Sequence, residues 1–144
     1  MKTKNEKEIK IANYLVCLNK KCKNKDGCLR HLALQYNDKK HHFLKVINPL
    51  CYPHTNEVCP FFRSATKVHI AWGMKQLYDD MPAKIAHAIK AKLSVRIPNT
   101  TYYRYRNQVL PINPDLQEFI RKTCLSCGWD GEVKFDRYSE GYDW

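Results

Sequence analysis

What this sequence lacks narrows its class. No apolar run approaches the roughly 20 residues needed to cross a membrane as a helix, so no membrane partner is expected. The opening MKTKNEKEIK is basic, but the apolar stretch after it, Tyr14 to Leu18, is too short for the core of a secretory leader. A cytoplasmic location is the resulting expectation. There is no paired-carboxylate motif and no Gly-rich phosphate loop, so an enzyme is not expected; internal repeats and low-complexity segments are also missing. Acidic residues are scarce: 14 Asp and Glu stand against 25 Lys and Arg, for a net charge of +11. Such a balance favours a polyanionic partner, and DNA or RNA first among them.

The charge is unevenly placed. Residues 1–45 carry 12 basic against 4 acidic side chains, residues 46–106 carry 9 against 3, and residues 107–144 carry 4 against 7. A basic body therefore ends in an acidic, aromatic tail, RYSEGYDW. A purely solubilising surface would give a similar count, so charge alone does not decide the partner.

Cysteine is present in excess and in clusters. Seven cysteines are an odd number, and cytoplasmic thiols stay reduced, so a disulfide framework is not expected. Cys17, Cys22 and Cys28 lie within twelve residues, interleaved with Lys20, Lys21, Lys23 and Lys25. Neighbouring ammonium groups favour thiolates, and thiolates on a tight loop are ligands for tetrahedral Zn²⁺. Buried free cysteines normally sit among apolar residues instead. The fourth ligand is open: Cys59, which precedes Pro60, is the first choice, Cys51 the second and His31 the third. Zinc is favoured over an iron–sulfur cluster, which the Cys-Pro step keeps in play. Cys124-x2-Cys127-Gly128 resembles half of a zinc knuckle, but no second CxxC completes it, and the pair reads equally well as ordinary thiols beside a turn.

Patterning divides the chain into a basic arm at 1–12, a Cys-rich metal-binding lobe at 13–63 and a helical lobe at 64–144. CLRHLALQY predicts two helical turns, and HHFLKVI (41–47) a short strand. INPLCYPHTNEVCP, with three prolines, reads as loop. Ser64 is placed to cap a helix running through Tyr78. PAKIAHAIKAKL predicts a helix with Ile85, Ala86, Ile89 and Leu93 inward and Lys84, Lys90 and Lys92 outward. SVRIPN breaks it, and TTYYRYRNQ predicts a short second helix. Asn113-Pro114 opens another, with Leu116, Phe119 and Ile120 inside. CLSCGWDGEVKF reads as a turn leading into a short strand.

Helix, break and short helix over 80–108 is the order of a helix-turn-helix. With Tyr102 and Tyr105 facing inward, Thr101, Tyr103, Arg104, Arg106 and Asn107 are left to reach phosphates and base edges, supported by Lys84 and Lys92. Two features depart from the usual unit: Lys92 and Arg96 stand where a small residue and Gly are customary, and Pro98 lies in the break. A structural helical hairpin with an exposed Tyr/Arg face is the competing reading.

The run Cys17…Cys22…Cys28-Leu-Arg, followed by VCPFFR (58–63), TTYYRYRNQ, NPDLQEFI (113–120) and EGYDW (140–144), resembles a family of short uncharacterised proteins from Bacteroidales. The resemblance covers nearly the whole chain from Tyr14 onward. In that family's pattern the cysteines matching Cys17, Cys22, Cys28 and Cys59 recur, which implies Cys59 as fourth ligand and makes Cys51, Cys124 and Cys127 additions of this member. The family implies no activity.

The expectation is thus a mainly α protein, in which a small metal-stapled Cys-rich lobe packs on a helix-turn-helix-like lobe. The expected function is that of a small zinc-containing nucleic-acid-binding protein, most simply a DNA-binding regulator. The alternative is a metal-stabilised protein-interaction module with a protein partner and no nucleic-acid activity.

Overall fold

Helix forms where apolar residues recur every three to four positions. A computed structural model of the chain, describing residues 13–54 and 56–144, has four α-helices and one two-stranded antiparallel sheet among those residues. Regular structure is mostly helical. The expected basic arm, residues 1–12, lies outside the described residues. The chain divides into two compact units: one reaches to Thr66 and takes in Trp144, and the other is Lys67–Asp143.

In the first unit, Leu29–Leu32 (α1) continues into a 3-10 turn, Ala33–Tyr36, which together give the two helical turns predicted for CLRHLALQY. Its core is small. Val16 and Ala33 are buried, and Tyr14, Leu34, Tyr36, Leu44 and Trp144 close over them. Trp144 stands edge-on to both Tyr14 and Tyr36, with ring centroids 5.4 Å away in each case. A lobe of this size with so little buried apolar surface usually depends on a staple of another kind. The strand expected at 41–47 is absent. Only Val46 pairs, in a single parallel bridge to Val16, because Asn48-Pro49 then turns into a 3-10 segment, Pro49–Cys51, instead of prolonging the ladder.

The second unit carries the main core. Met74, Ile89, Leu93, Ile112, Ile120 and Cys124 are fully buried, with Leu77, Ile97, Tyr102 and Phe135 beside them. Ala83–Arg96 (α2) buries Ile89 and Leu93 as its period predicts, and half-buries Ile85 and Ala86. It runs three residues further than expected, through Ser94, Val95 and Arg96, before Ile97 and Pro98 break it. Proline has no N–H to give and its ring collides with the preceding turn, so the helix stops there. Asn99–Arg106 (α3) follows at once, with Tyr102 buried and Tyr105 half-buried. Pro114–Ser126 (α4) starts at the Asn113 cap, whose side chain accepts the Leu116 N–H at 2.9 Å.

Two elements differ from their sequence patterns. The helix expected from Ser64 to Tyr78 is a strand, Val68–Trp72 (β1), and the strand expected near 133–135 lies instead in the tail, at Arg137–Gly141 (β2). CLS of the expected turn belongs to α4. The strand is favoured because Val68, Ile70 and Trp72 suit a pleated surface, and because the tail supplies a partner, with Val68 opposite Gly141 and Trp72 opposite Arg137. The Trp72 indole N–H donates to Ser139 Oγ at 2.8 Å, and the Arg137 guanidinium lies 4.6 Å from the Trp72 ring centroid. Gln117 ties β1 to the chain before α4. Its buried amide donates to the His69 and Ile112 carbonyls, both at 2.9 Å.

Gly73 ends β1 with φ +81°, a conformation that L side chains rarely adopt. A Cβ there would also run into Asp136, whose carboxylate accepts the backbone N–H groups of Lys75 (3.3 Å) and Gln76 (2.8 Å). Gly73→Ala is expected to destabilise the protein by about 1–3 kcal/mol, read as a lower urea midpoint.

Candidate metal centre and cationic face

The four clustered cysteines lie on three segments that one arginine draws together. Arg30 donates from Nε to the Phe61 carbonyl at 2.8 Å and from Nη1 to the Leu15 carbonyl at 3.2 Å. It thereby ties the chain two residues before Cys17 to the chain two residues after Cys59. An antiparallel bridge between Cys28 and Ser64 adds a second tie, flanked by Leu29 N–H to Arg63 carbonyl (2.7 Å) and Ala65 N–H to Gly27 carbonyl (2.9 Å). Cys22 rides on successive tight turns. Its N–H donates to the Asn19 carbonyl, and its own carbonyl accepts from Lys25 N–H.

These constraints put the thiols within electrostatic reach of one another. Burial pushes the Cys17 thiol up; a backbone N–H at Asn19 opposes this, and the sulfurs of Cys28, Cys22 and Cys59 reinforce it. Cys17, Cys22, Cys28 and Cys59 therefore share one neighbourhood, and all seven cysteines are free. Among the described residues, however, no group of three or more His, Cys, Asp or Glu side chains converges closely enough to hold a metal ion. Of the other ligand candidates, Cys51 is exposed on its 3-10 turn. His31 is engaged through Nδ1, which donates to the Cys17 carbonyl at 3.2 Å and leaves Nε2 as its only ring acceptor.

A second constellation lies between α2 and α3. Ala83, Ala86, His87 and Lys90 fall at i, i+3, i+4 and i+7, so they share one face of α2. The two alanines leave room, and a cavity of about 340 Å³ opens there, closed on the other side by Tyr78, Tyr102, Tyr103 and Arg106. Lys90 Nζ donates to Tyr103 Oη at 3.1 Å and lies 5.5 Å from the Tyr102 ring centroid and 5.2 Å from that of Tyr103. That hydrogen bond raises the Lys90 pKa and lowers that of Tyr103. Deeper in, Tyr78 and Tyr102 share a hydrogen bond of 2.8 Å between their hydroxyls, and burial drives the Tyr78 hydroxyl far above its ordinary range. Among the described residues, no carboxylate lines the cavity.

A family of unknown function, DUF6078, has a sequence profile that matches residues 1–144. The chain belongs to that family. No curated protein and no solved structure matches it. Membership of DUF6078 carries no chemistry with it, so the site is read from its own residues.

The structure gathers only some of the side chains that the sequence suggested for nucleic acid. Tyr103 and Arg106 line the cavity, whereas Arg104 and Asn107 are exposed elsewhere on α3 and Thr101 is half-buried. Lys84 is exposed at the start of α2. Lys92 points away from α3 and donates to Ser126 Oγ on α4 at 2.9 Å. His87, Lys90, Tyr78 and Tyr102 were not among the expected site residues. The available signal was the alanine spacing at 83 and 86, which reads as a core stripe until α3 is seen to leave it uncovered. The CxxC at the end of α4 is divided. Cys124 is fully buried, with its thiol pushed up to about 11 first by burial and then by Cys127, while Cys127 is half-buried at the helix end.

Proposed function

We propose that this DUF6078 protein is a small nucleic-acid-binding protein of the cytoplasm. In this reading the Cys17, Cys22, Cys28 and Cys59 thiolates hold one Zn²⁺, and a cationic face on α2 and α3 meets phosphate. The observation that carries the nucleic-acid part is the uncompensated charge: among the described residues Lys90 and Arg106 face a cavity with no carboxylate, and Arg104 and Lys84 are exposed elsewhere on the same two helices, in a chain of net charge +11. Two helices joined by only Ile97 and Pro98 fit a helix-turn-helix use of α3, with Thr101, Tyr103 or Arg104 toward bases and Arg106 toward phosphate.

The metal part rests on the shared neighbourhood of the four cysteines and on the meagre core of the first unit. When bound, zinc supplies a four-way cross-link that a lobe with this core lacks. A closed set of four thiolates leaves no open position for substrate, which favours a structural over a catalytic metal. The test is direct. Elemental analysis of purified protein is expected to show about one zinc per chain, and a labelled duplex is expected to be retarded at low salt. A metal-free, fully folded protein under reducing conditions sinks the metal reading.

One observation favours a second reading, a metal-stabilised protein-interaction module. Phe43, Leu50 and Val58 are 90%, 92% and 93% exposed, all in the first unit. If neither DNA nor RNA binds at low salt, that reading takes precedence.

A further inference from the structure

The cavity between α2 and α3 has a composition that a purely structural groove does not need. Three basic side chains, His87, Lys90 and Arg106, face it with no acidic partner among the described lining residues. Among the described residues Lys90 meets neutral groups, the Tyr103 hydroxyl and two aromatic faces, which orient it toward α3 while leaving its charge uncancelled. Arg106 is half-buried, and its field acts on Tyr78, Lys90 and Tyr103 together. A partly desolvated guanidinium fork is suited to two oxygens of one phosphate. Tyr103 is 39% exposed, leaving part of its ring for stacking. The volume, about 340 Å³, falls in the range of small-ligand sites.

We propose that this cavity binds a phosphate monoester carried on a nucleotide, either a free nucleoside monophosphate or the 5′-phosphorylated end of a strand. A monoester carries close to two negative charges at neutral pH, which matches Lys90 and Arg106, whereas an internal phosphodiester carries one. The base stacks on the exposed part of the Tyr103 ring, and the Tyr78–Tyr102 hydroxyl pair lies at the cavity wall as a neutral hydrogen-bonding contact. The proposal depends on the nucleic-acid reading only in its strand-end form.

The experiment is calorimetric titration of the full chain with adenosine 5′-monophosphate and with adenosine. Alongside it, anisotropy is measured on one single-stranded oligonucleotide bearing either a 5′-phosphate or a 5′-hydroxyl. The monophosphate is expected to bind at least about tenfold more tightly than adenosine, the change that one charge-assisted hydrogen bond brings. Lys90→Met, an exposed change that keeps the fold, is expected to abolish that preference, and Arg106→Gln to weaken it. Lys122→Met, on the exposed face of α4, is expected to leave it intact. A preference for the phosphorylated strand identifies the strand end as ligand; binding of the monophosphate without that preference identifies the free nucleotide. Equal or absent binding of monophosphate and adenosine overturns the proposal, as does an unchanged Lys90→Met. Retention of duplex binding in that event shows that the nucleic-acid reading survives it. Monophosphate binding without any binding to strands shows the converse.

Discussion

Duplex binding is expected to weaken by about two orders of magnitude between 50 and 200 mM salt. Lys84, Lys90, Arg104 and Arg106 are the cations available on α2 and α3 outside the α4 side. Each phosphate neutralised releases condensed counterions, so four contacts give a log–log slope near −3.6, and a fourfold rise in salt then costs about 150-fold in affinity. Arg104→Ala and Arg106→Ala separate two roles within this total. Arg106 lies on the cavity wall, set back at the end of α3, and is expected to act through phosphate; its loss weakens all sequences alike and flattens the slope by about one ion. Arg104 is exposed and is expected to cost about 1–3 kcal/mol on a sequence selected from random duplexes, and little on scrambled DNA. Identical binding of both variants and the parent protein assigns α3 a structural role.

Cys28→Ser is expected to have the largest effect on the protein itself. Cys28 is buried, sits at the start of α1 and pairs with Ser64, so it stands where the thiol loop meets the rest of its unit. In the proposed site Cys28 is one of four zinc ligands; its loss would then remove most of the apparent affinity for zinc, and zinc affinity in a small lobe is folding free energy. The zinc content should fall from about one per chain to about zero, and limited proteolysis should cut between residues 13 and 66 while leaving Lys67–Asp143 intact. Cys17→Ser should behave alike. Cys124→Ser should change neither readout, because Cys124 is packed in the core of the other unit, where its raised thiol pKa keeps it neutral. Equal zinc content in Cys28→Ser and Cys124→Ser contradicts the assignment of the ligands.

The helices were legible because their signals are local. Asn113-Pro114 announces α4 by its cap, and Ile89 and Leu93 mark the buried face of α2 by spacing alone. β1 was not legible, because what makes Val68–Trp72 a strand is its pairing with Arg137–Gly141, about 70 residues away. Within a local window, Val68, Ala71 and Trp72 fit a helical stripe equally well, and only the tail decides between them. The thiol cluster was visible as density along the chain, but Arg30, which ties its flanking segments together, gives no sign of that role in sequence. The cavity was hidden for a related reason. Lys90 reads as one more outward lysine until Tyr103 arrives from the next helix to hold it.

The most direct test of the central claim is an anisotropy titration of a fluorescent duplex at 50 mM salt, comparing the parent chain with Lys84→Glu/Arg104→Glu. Both substituted side chains are exposed and lie outside the cavity, so the variant should keep its fold while the charge on α2 and α3 falls by four, from +6 to +2. The parent chain is expected to bind and the variant to lose more than about a hundredfold in affinity, since two contacts are removed and two repulsions introduced. Parent protein that fails to bind DNA or RNA at this salt, or a variant that binds as tightly as the parent, contradicts the claim.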